Sequence, residues 1–462
     1  MTSIEVLKKL ALDQKLEIYF TGGYVRDLLR KKKPKDVDLL IRNMPLDDLI
    51  VLLAPYGRVL EVGAHFGIVM FRVWNNGDAV EIAVPRKARR FDKQNTILDF
   101  DVYGKLREDA SHRDFTINAM FLPLSGTRKD IIDFHGGRAD IKERVIRAVK
   151  SPNRRIIEDP VRMLRAFSLS SRLGYTIDES FIKAVKRNAK LLQTSAPERV
   201  RNELVEILLS KKPSRQLRLM QQVGLLQHVL PFLSQNVGVR QDKRFHKYDV
   251  FTHLLRACDS APNDLALRIS ALLHDVGKYA TREIRGDRTT FHNHEVVGEI
   301  MARDMLTKLA FPKEFIGHVT LLIRKHMYNY SRDWSNRAVR KFIREVGIKR
   351  DGLDDLKEIP LFKLREADRL GNGFKKNPRT EKQKDFEKRI TKLYRESSAL
   401  TVHDLAVKGG DLMKEFGLEA GPIIGKTLKH LLNLVLENSQ QNSKKKLLKL
   451  AADYLKVDKN GK

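Results

Sequence analysis

Cysteine and long apolar runs are nearly absent from this sequence, and each absence excludes a class of protein. Cys258 is the only cysteine among 462 residues, so no disulfide can form within the chain. No run of 18 or more apolar residues occurs, which argues against a membrane-spanning helix. The first sixteen residues predict a short amphipathic helix and lack the apolar core of a secretory signal. Together these features predict a cytoplasmic protein.

Acidic residues are also few relative to basic ones. The chain has 88 Lys and Arg against 58 Asp and Glu, a formal charge of +30 and a pI near 10.0. Such an excess predicts a polyanionic partner, and nucleic acid fits it better than a membrane surface. A hydrophobic content of 42% is typical of a folded protein. At about 150 residues per domain, the length predicts roughly three domains.

A glycine pair followed by an aspartate pair is the most informative pattern near the N-terminus. The run Leu16–Thr21 predicts a strand, and Gly22 and Gly23 directly after it would let the backbone approach a phosphate. Asp36 and Asp38 lead into apolar residues, which predicts a second strand with both carboxylates on one face. Carboxylates that close repel each other unless a cation lies between them. The combination predicts metal-assisted nucleotidyl transfer.

This arrangement resembles the opening motif of the class II tRNA nucleotidyltransferase and bacterial poly(A) polymerase family, a branch of the polymerase-β-like nucleotidyltransferases. The run Arg113–Ala119 resembles the family's second motif, usually Arg-Arg-Asp-Phe-Thr-Ile-Asn-Ala, and the resemblance extends from about Phe20 to Ala452. It implies an α+β fold in four parts: a small mixed β-sheet nucleotidyltransferase head (1–145), a helical neck and body that read the base (146–240), an HD metal-binding domain (241–375) and a basic helical RNA-binding region (376–462).

The resemblance also implies roles for single residues. Asp36 and Asp38 would hold Mg²⁺, with Glu81 as the candidate third carboxylate. The nucleotide-binding residues would be Gly22, Gly23 and Arg26 for the triphosphate, Arg113 and Asp114 for the ribose, Asp159 and Arg162 for the base, and Arg165 facing a phosphate or a neighbouring helix.

The segment from Glu158 predicts a long helix, with Glu158 and Asp159 at its start and Pro160 in its first turn. Asp159 and Arg162 are three residues apart and would be neighbours on one face of that helix. From the residues alone this is either a first-turn ion pair or a pair that binds a ligand, since Arg and Asp offer donors and acceptors in one plane. The resemblance favours Watson–Crick-like hydrogen bonds to the incoming base.

Other features of the family motifs surround these residues. His112 stands where the family usually has a second arginine. The contact that this arginine would make with the triphosphate is therefore not expected from an arginine here. Asn118 would support the ribose-binding loop, and Glu198 and Arg199 would brace the base-reading helix. The charged segment Lys87–Lys105 would be a loop that affects the switch from CTP to ATP.

Histidines and aspartates in the second half resemble the HD phosphohydrolase pattern. Imidazole and carboxylate ligands together suit Mn, Ni, Co or Zn, and a metal-bound water could attack a phosphoester. A degenerate HD fold that only clamps RNA is the alternative. The implied ligands are His253, His274, Asp275 and Asp368, with His294 and His326 at the extra positions of two-metal members.

The resemblance therefore implies a CCA-adding tRNA nucleotidyltransferase, which would transfer CMP and AMP from CTP and ATP to the 3′ end of tRNA without a nucleic-acid template, by a two-metal mechanism. Its basic surface would hold the acceptor stem. The alternatives within this chemistry are a CC-adding or A-adding specialist and a poly(A) polymerase. From other classes, the alternatives are an HD phosphohydrolase with a regulatory front domain and a catalytically silent RNA-binding protein. The sequence carries no indication of oligomeric state.

Overall fold

The computed structural model describes residues 2–63, 68–74, 78–85, 104–242, 244, 246–286, 288–348, 356–396 and 402–460. The chain forms two compact units, Met1–Leu230 and Pro231–Lys462. Its fold is α+β, as predicted. Most of the predicted loop Lys87–Lys105 lies outside the described residues. Within the described ranges, no helix is both long and apolar enough to cross a membrane.

The first unit combines a sheet with helices. Its N-terminal part contains α1 (Ser3–Asp13), β1 (Glu17–Thr21), α2 (Gly22–Leu29), β2 (Asp38–Arg42), α3 (Leu46–Leu53), β3 (Gly57–Gly63), β4 (Ile68–Val73), β5 (Ala79–Ala83), α4 (Leu106–His112), β6 (Met120–Pro123), β7 (Ile132–Asp133), α5 (Gly137–Glu143) and β8 (Val145–Ile146). The helical part that follows contains α6 (Pro152–Glu158), α7 (Arg162–Leu173), β9 (Thr176–Ile177), α8 (Glu179–Asn188), α9 (Pro197–Leu208) and α10 (Pro213–Gln222).

The described strands of the main sheet run in the order β3-β4-β5-β2-β1-β6-β7. The sheet is mixed because β2 and β5 are parallel while the other neighbours are antiparallel. Strand β2 is buried on both faces: Leu39 and Ile41 belong to one hydrophobic cluster, and Leu40 belongs to another. This double burial holds β2 firmly and therefore holds Asp38, its first residue.

A corner between α6 and α7 replaces the single helix start predicted at Glu158. Helix α6 ends at Glu158, and α7 begins only at Arg162. Asp159 precedes Pro160, whose ring disfavours helical backbone in the residue before it. Asp159 accordingly has an extended backbone, with φ −156° and ψ 96°. The predicted helix start was wrong, and Asp159 lies in the corner instead.

The second unit is almost entirely helical. It contains α11 (Pro231–Ser234), α12 (Val250–Ser260), α13 (Leu265–Leu273), β10 (Glu283–Arg285), β11 (Arg288–Thr290), α14 (His294–Lys308), α15 (Lys313–Lys325), α16 (Asn336–Val346), α17 (Pro360–Gly371), α18 (Glu381–Glu396), α19 (Gly409–Phe416), α20 (Pro422–Glu437) and α21 (Lys444–Asn460).

A short turn after α13 packs closely against α14. Gly277 makes this possible, since a Cβ there would lie 2.2 Å from the carbonyl oxygen of His294. The close approach brings Asp275, two residues earlier, beside the first turn of α14.

Candidate functional site

Asp38 lies against the glycine pair at the start of β2. Gly22 has φ +60°, in the left-handed region, and a Cβ there would stand 2.8 Å from Asp38 Oδ2. The backbone N–H of Gly23 donates a hydrogen bond to the Asp38 carboxylate. The glycines thus let the backbone approach a carboxylate more closely than a side chain would allow.

Three predicted carboxylates surround this point. Glu81 lies directly opposite Asp38 in the parallel pairing of β2 with β5. The strand begins at Asp38 and not at Asp36, so the alternation of side chains along a strand does not orient Asp36 as predicted. Asp36 and Asp38 nevertheless line one cavity. Burial raises the pKa of the Asp38 carboxyl, and a bound cation would offset this penalty, so these residues fit a divalent metal.

Two cavities meet at Asp38. The smaller cavity, of 260 Å³, is lined by Gly22, Glu81 and the predicted ribose and base residues. The larger cavity, of 680 Å³, is lined by several cationic side chains together with Asp36. The residues that line both cavities are Gly23, Asp38, Asp114, Asn118 and Arg165. The Asp38 carboxylate is therefore accessible from both cavities.

Two arginines beside the glycine pair are held by the same asparagine. Buried Arg26 donates through Nη1 to Asn118 Oδ1 at 2.8 Å, and Asp27 accepts from its Nε and Nη2. Arg113 donates through Nη1 to the carbonyl oxygen of Asn118 at 3.2 Å and through Nε to Asp109 at 2.8 Å. Asn118 thus supports both arginines, and each guanidinium keeps N–H groups for a ligand.

Asp114, which follows α4, forms an ion pair with Arg165 of α7. Arg165 Nη1 donates to Asp114 Oδ2 at 3.2 Å, and its Nε donates to Glu203 on α9 at 3.0 Å. Burial would raise the pKa of Asp114, but the charges of Arg165 and Arg162 outweigh burial and lower it. Asp114 is therefore an ionised acceptor at neutral pH, which suits it to accept a hydrogen bond from a hydroxyl.

The corner residue Asp159 keeps one carboxylate oxygen without a protein partner. Its Oδ2 accepts from Arg199 Nη2 at 2.8 Å, which is the bracing contact implied for Arg199. Its Oδ1 is buried and has no hydrogen-bond partner among the described residues. Buried acceptors are rarely left unpaired, so this oxygen is a candidate contact for a ligand.

The neighbouring arginine, Arg162, is buried, and three of its five N–H groups donate to acceptors of the protein. Its Nη1 donates to the carbonyl oxygen of Arg155 at 3.2 Å and to Glu158 Oε2 at 3.3 Å, and its Nη2 donates to the carbonyl oxygen of His112 at 3.1 Å. A guanidinium has five N–H groups, so these contacts leave one on Nη2 and the one on Nε. The Nε atom lies 4.0 Å from Asp159 Oδ2. Two donors therefore remain beside one unpaired acceptor.

A second group of side chains, the His–Asp cluster, lies in the helical unit. His274 is the C-cap residue of α13 and Asp275 follows it, so this pair lies directly after the end of a helix. His253 Nε2 is 3.2 Å from both Asp368 Oδ1 and His274 Nε2. Asp275 Oδ1 is 3.1 Å from the Nε2 of His294. The cluster comprises all six predicted ligands: His253, His274, Asp275, His294, His326 and Asp368.

The hydrogen bonds of the cluster leave bare ring nitrogens facing one another. The Nδ1 atoms of His274, His294 and His326 lie 2.7–2.9 Å from backbone carbonyl oxygens, which can only accept, so each Nδ1 carries the proton. In the neutral rings of His294 and His326 each Nε2 is then a lone pair. The Nε2 atoms of His294 and His326 are buried and have no hydrogen-bond partner in the part of the chain that the structure describes, although Asp275 is 3.1 and 3.4 Å away. Lone pairs and a carboxylate in such proximity fit a metal centre.

Models of known protein families match three separate segments of the chain. Three family models match, each over part of it: the poly A polymerase head domain (residues 18–147), the RNA- and SrmB-binding site of polymerase A (174–236) and tRNA nucleotidyltransferase domain 2 (294–451).

Curated relatives match over most of the chain. The CC-adding tRNA nucleotidyltransferase of Thermus thermophilus is 30% identical, over 90% of this chain and 89% of its own. The A-adding tRNA nucleotidyltransferase of Deinococcus radiodurans is 33% identical, over 71% and 74% respectively. The chain belongs to the tRNA nucleotidyltransferase and poly(A) polymerase family. It is therefore a nucleotidyltransferase, and nucleotidyl transfer in this family needs a divalent metal.

Solved structures agree on the fold of this family member. The Bacillus stearothermophilus CCA-adding enzyme in complex with CTP superposes with a TM-score of 0.63, over 99% of this chain and 98% of that one, at 22% identity. Similarity at this level of identity shows the fold alone. A CCA-adding enzyme of Geobacillus is a further relative, 26% identical over 93% of this chain and 91% of its own.

Two residues that contact the predicted site were missed from the sequence. Arg155 donates to Glu158, and Glu203 accepts from Arg165. The first pair has the i, i+3 spacing of helix neighbours, so it could have been found. Glu203 is distant from Arg165 in the chain, and only the packing of α7 against α9 brings them together.

Proposed function

We propose that this chain is a CCA-adding tRNA nucleotidyltransferase that transfers CMP and AMP from CTP and ATP to the 3′ end of tRNA. Relatives carry the names CC-adding, A-adding and CCA-adding, so the reaction class is common to all of them. The observation that carries the choice of C and A is the hydrogen-bonding set left open at Asp159 and Arg162 in the smaller cavity.

This open set is complementary to cytosine and adenine. Both bases present an exocyclic amino donor beside an acceptor ring nitrogen, whereas uracil and guanine present a carbonyl beside a ring N–H. Asp159 Oδ1 would accept from the amino group, and the free N–H groups of Arg162 would donate to the ring nitrogen. Uracil or guanine would instead place a carbonyl against the carboxylate. Two protein side chains thereby replace a template.

The rest of the nucleotide would follow the cavities toward Asp38. Arg113 and Asp114 would bind the ribose hydroxyls, and Gly22, Gly23 and Arg26 would bind the triphosphate, with Arg165 lining both cavities. Mg²⁺ held by Asp36 and Asp38, with Glu81 as the third carboxylate, would lower the pKa of the RNA 3′ hydroxyl and stabilise the departing pyrophosphate.

The tRNA itself would bind through the basic surface. A formal charge of +30 supports a polyanionic partner, and the acceptor stem must approach Asp38 for its 3′ end to react. In this proposal residues 1–145 are the catalytic head, 146–240 the base-reading neck and body, 241–375 an HD domain and 376–462 an RNA-binding region. Such an enzyme would work in the cytoplasm.

The direct test incubates the protein with Mg²⁺, CTP, ATP and a tRNA that ends at the discriminator base, and sequences the product 3′ ends. The proposal expects CCA ends that disappear in Asp36→Ala. Ends that stop at CC, or adenosine added only to a CC-ended control tRNA, would identify a specialist. Long adenosine tails would identify a poly(A) polymerase, and no extension of any RNA would refute the proposal.

The His–Asp cluster supports a second activity, hydrolysis of phosphoesters. It lines a cavity of 370 Å³ whose wall carries Arg365, Arg369 and Lys375, cations suited to a phosphate group. The ligand set of imidazoles and carboxylates suits Mn, Ni, Co or Zn, and such a metal would supply an acidified water. A degenerate domain that only clamps RNA would not need the bare Nε2 atoms described above.

The two activities can be separated by matched variants. Hydrolysis of 2′,3′-cyclic AMP is measured with added Mn, Ni, Co or Zn in the wild type, in His274→Ala and in Asp36→Ala. We expect His274→Ala to lose hydrolysis and keep nucleotide addition, and Asp36→Ala to do the reverse. Absence of hydrolysis with every metal, or hydrolysis that survives in His274→Ala, would contradict the second activity.

A further inference from the structure

Two buried arginines meet the C-terminal end of α4, directly before the ribose-binding residues. Arg155 Nη1 donates to the carbonyl oxygen of Ser111 at 2.8 Å, and Arg162 Nη2 donates to that of His112 at 3.1 Å. The last carbonyls of a helix have no partner within it, and this end of the helix dipole favours cations. The contact therefore joins the end of α4 to the corner between α6 and α7.

Arg155 also holds Arg162 by two separate routes. Its Nη2 donates to Glu158 Oε1 at 2.6 Å, while the other oxygen of Glu158 accepts from Arg162. The backbone carbonyl of Arg155 accepts from the same Nη1 of Arg162 at 3.2 Å. The side chain of Arg155 is only 3% exposed, so these contacts are protected from water.

We propose that Arg155 is a positioning residue for base selection, which holds Arg162 through Glu158 and fixes it to the end of α4. The inference rests on the proposed function, in which Asp159 and Arg162 distinguish the bases. Among the described residues, three N–H groups of Arg162 have protein acceptors and two remain for a ligand, so the direction of these two depends on the contacts of the other three. The side chain of Arg155 holds Glu158, which makes the one side-chain contact among those three, and Arg155 does not line the smaller cavity itself.

Lysine is the informative substitution because it keeps the positive charge of Arg155 and removes the planar guanidinium with its several N–H donors. An ammonium group on a flexible stem cannot reproduce the fixed, planar contacts with Ser111 and Glu158. Arg154 supplies a matched control: it donates to the same Glu158 oxygen at 3.1 Å, yet its side chain is 73% exposed. Comparing Arg155→Lys with Arg154→Lys thus distinguishes the effect of the buried contact with Glu158 from that of the exposed contact.

The experiment measures kcat/KM for CTP and for UTP on a tRNA lacking CCA, in the wild type, Arg155→Lys and Arg154→Lys. Thermal denaturation of each variant is recorded in parallel. We expect the CTP:UTP ratio to fall at least about tenfold in Arg155→Lys and to stay within about twofold of the wild type in Arg154→Lys. A loss of folded protein would lower both rates equally and leave the ratio unchanged.

An unchanged ratio in folded Arg155→Lys would therefore overturn the positioning role, whatever the absolute rates. If that variant does not fold, Glu158→Gln decides, because it keeps the shape and weakens the same link to Arg162. The expected and contrary results are then those stated for Arg155→Lys. If the wild-type protein extends no tRNA, the proposed function is refuted and the positioning role with it. If the wild type extends tRNA and the CTP:UTP ratio is unchanged in the variant, only the positioning role is refuted.

Discussion

Gly22→Ala should damage catalysis far more than folding. Gly22 has φ +60°, and its missing side chain leaves space for Asp38 Oδ2. Alanine would therefore meet two obstacles, a left-handed backbone and a close contact with a carboxylate that we assign to metal binding. The two effects have different consequences, since the first acts on stability and the second on the geometry of the site.

Both magnitudes follow from the structure. A left-handed backbone costs alanine roughly 1–2 kcal/mol relative to glycine. The new Cβ would stand 2.8 Å from the carboxylate oxygen of Asp38, whereas ordinary van der Waals contacts begin at 3.4 Å. Asp38 or the glycine pair must therefore move by several tenths of an ångström. Since a misplacement of about 1 Å can cost about 100-fold in rate, kcat should fall between about tenfold and 100-fold.

Gly136→Ala is the matched control for this substitution. Gly136 also lies in the first unit with φ +78°, but a Cβ there would meet nothing within 4 Å. Its backbone penalty is therefore comparable, and no predicted site residue is displaced. Both variants are compared by thermal denaturation and by the rate of CMP addition to a tRNA lacking CCA.

We expect both variants to unfold a few degrees below the wild type and only Gly22→Ala to lose rate. Equal rates in Gly22→Ala and Gly136→Ala would refute the reasoning, because they would show that the Gly22 contact with Asp38 does not control the reacting centre. A rate lost in both variants would attribute the effect to folding.

Three further outcomes are expected. Asp38→Asn should raise thermal stability at pH 7 without metal. Burial raises the pKa of this carboxyl, so ionised Asp38 destabilises the fold above that pKa. Mg²⁺ should stabilise the wild type by about 2.7 kcal/mol at 100 times its Kd, and it should not stabilise this variant. Arg199→Ala should lower kcat/KM for CTP and ATP about tenfold, because Asp159 loses its brace, whereas Arg201→Ala, at a half-buried residue that lines neither cavity, should not. The KM for tRNA should rise at least about tenfold between 50 and 200 mM salt, with a smaller rise for CTP. An unchanged melting curve would contradict the prediction for Asp38→Asn, and unchanged kinetics would contradict the prediction for Arg199→Ala. A KM for tRNA that does not depend on salt would contradict the third.

Sequence patterns predicted the parts of the site that are close together in the chain. Strand β1, the glycine pair and strand β2 follow from local composition, because glycines and β-branched residues act over a few positions, although β2 begins at Asp38 and not at Asp36. The corner at Asp159 was missed because charged and apolar spacing continues across Pro160 as in one helix. The proline's effect on the residue before it was the available signal.

Contacts between distant segments depended on the family resemblance. Spacing alone does not bring Asp368 beside His253, since this requires α17 to pack on α12. The pairing of Glu203 with Arg165, and the choice of which Arg162 donors stay open, also depend on packing. Local patterns therefore predicted the chemistry of the site, and tertiary structure decided which atoms are available to a ligand.

In the proposed function Asp159 and Arg162 select the base, and Asp159→Asn changes the acceptor that would contact it. Arg199 donates to one side of this group, so the amide oxygen should turn toward Arg199 and the amide N–H₂ toward the smaller cavity. A donor would then replace the acceptor that faces the base. Incorporation of CMP and of UMP into a tRNA lacking CCA is measured for the wild type and the variant. We predict that the wild type strongly prefers CTP and that this preference falls at least about tenfold, or reverses, in Asp159→Asn. A wild type that uses UTP as well as CTP, or an active variant that keeps the full preference for CTP, would contradict the account.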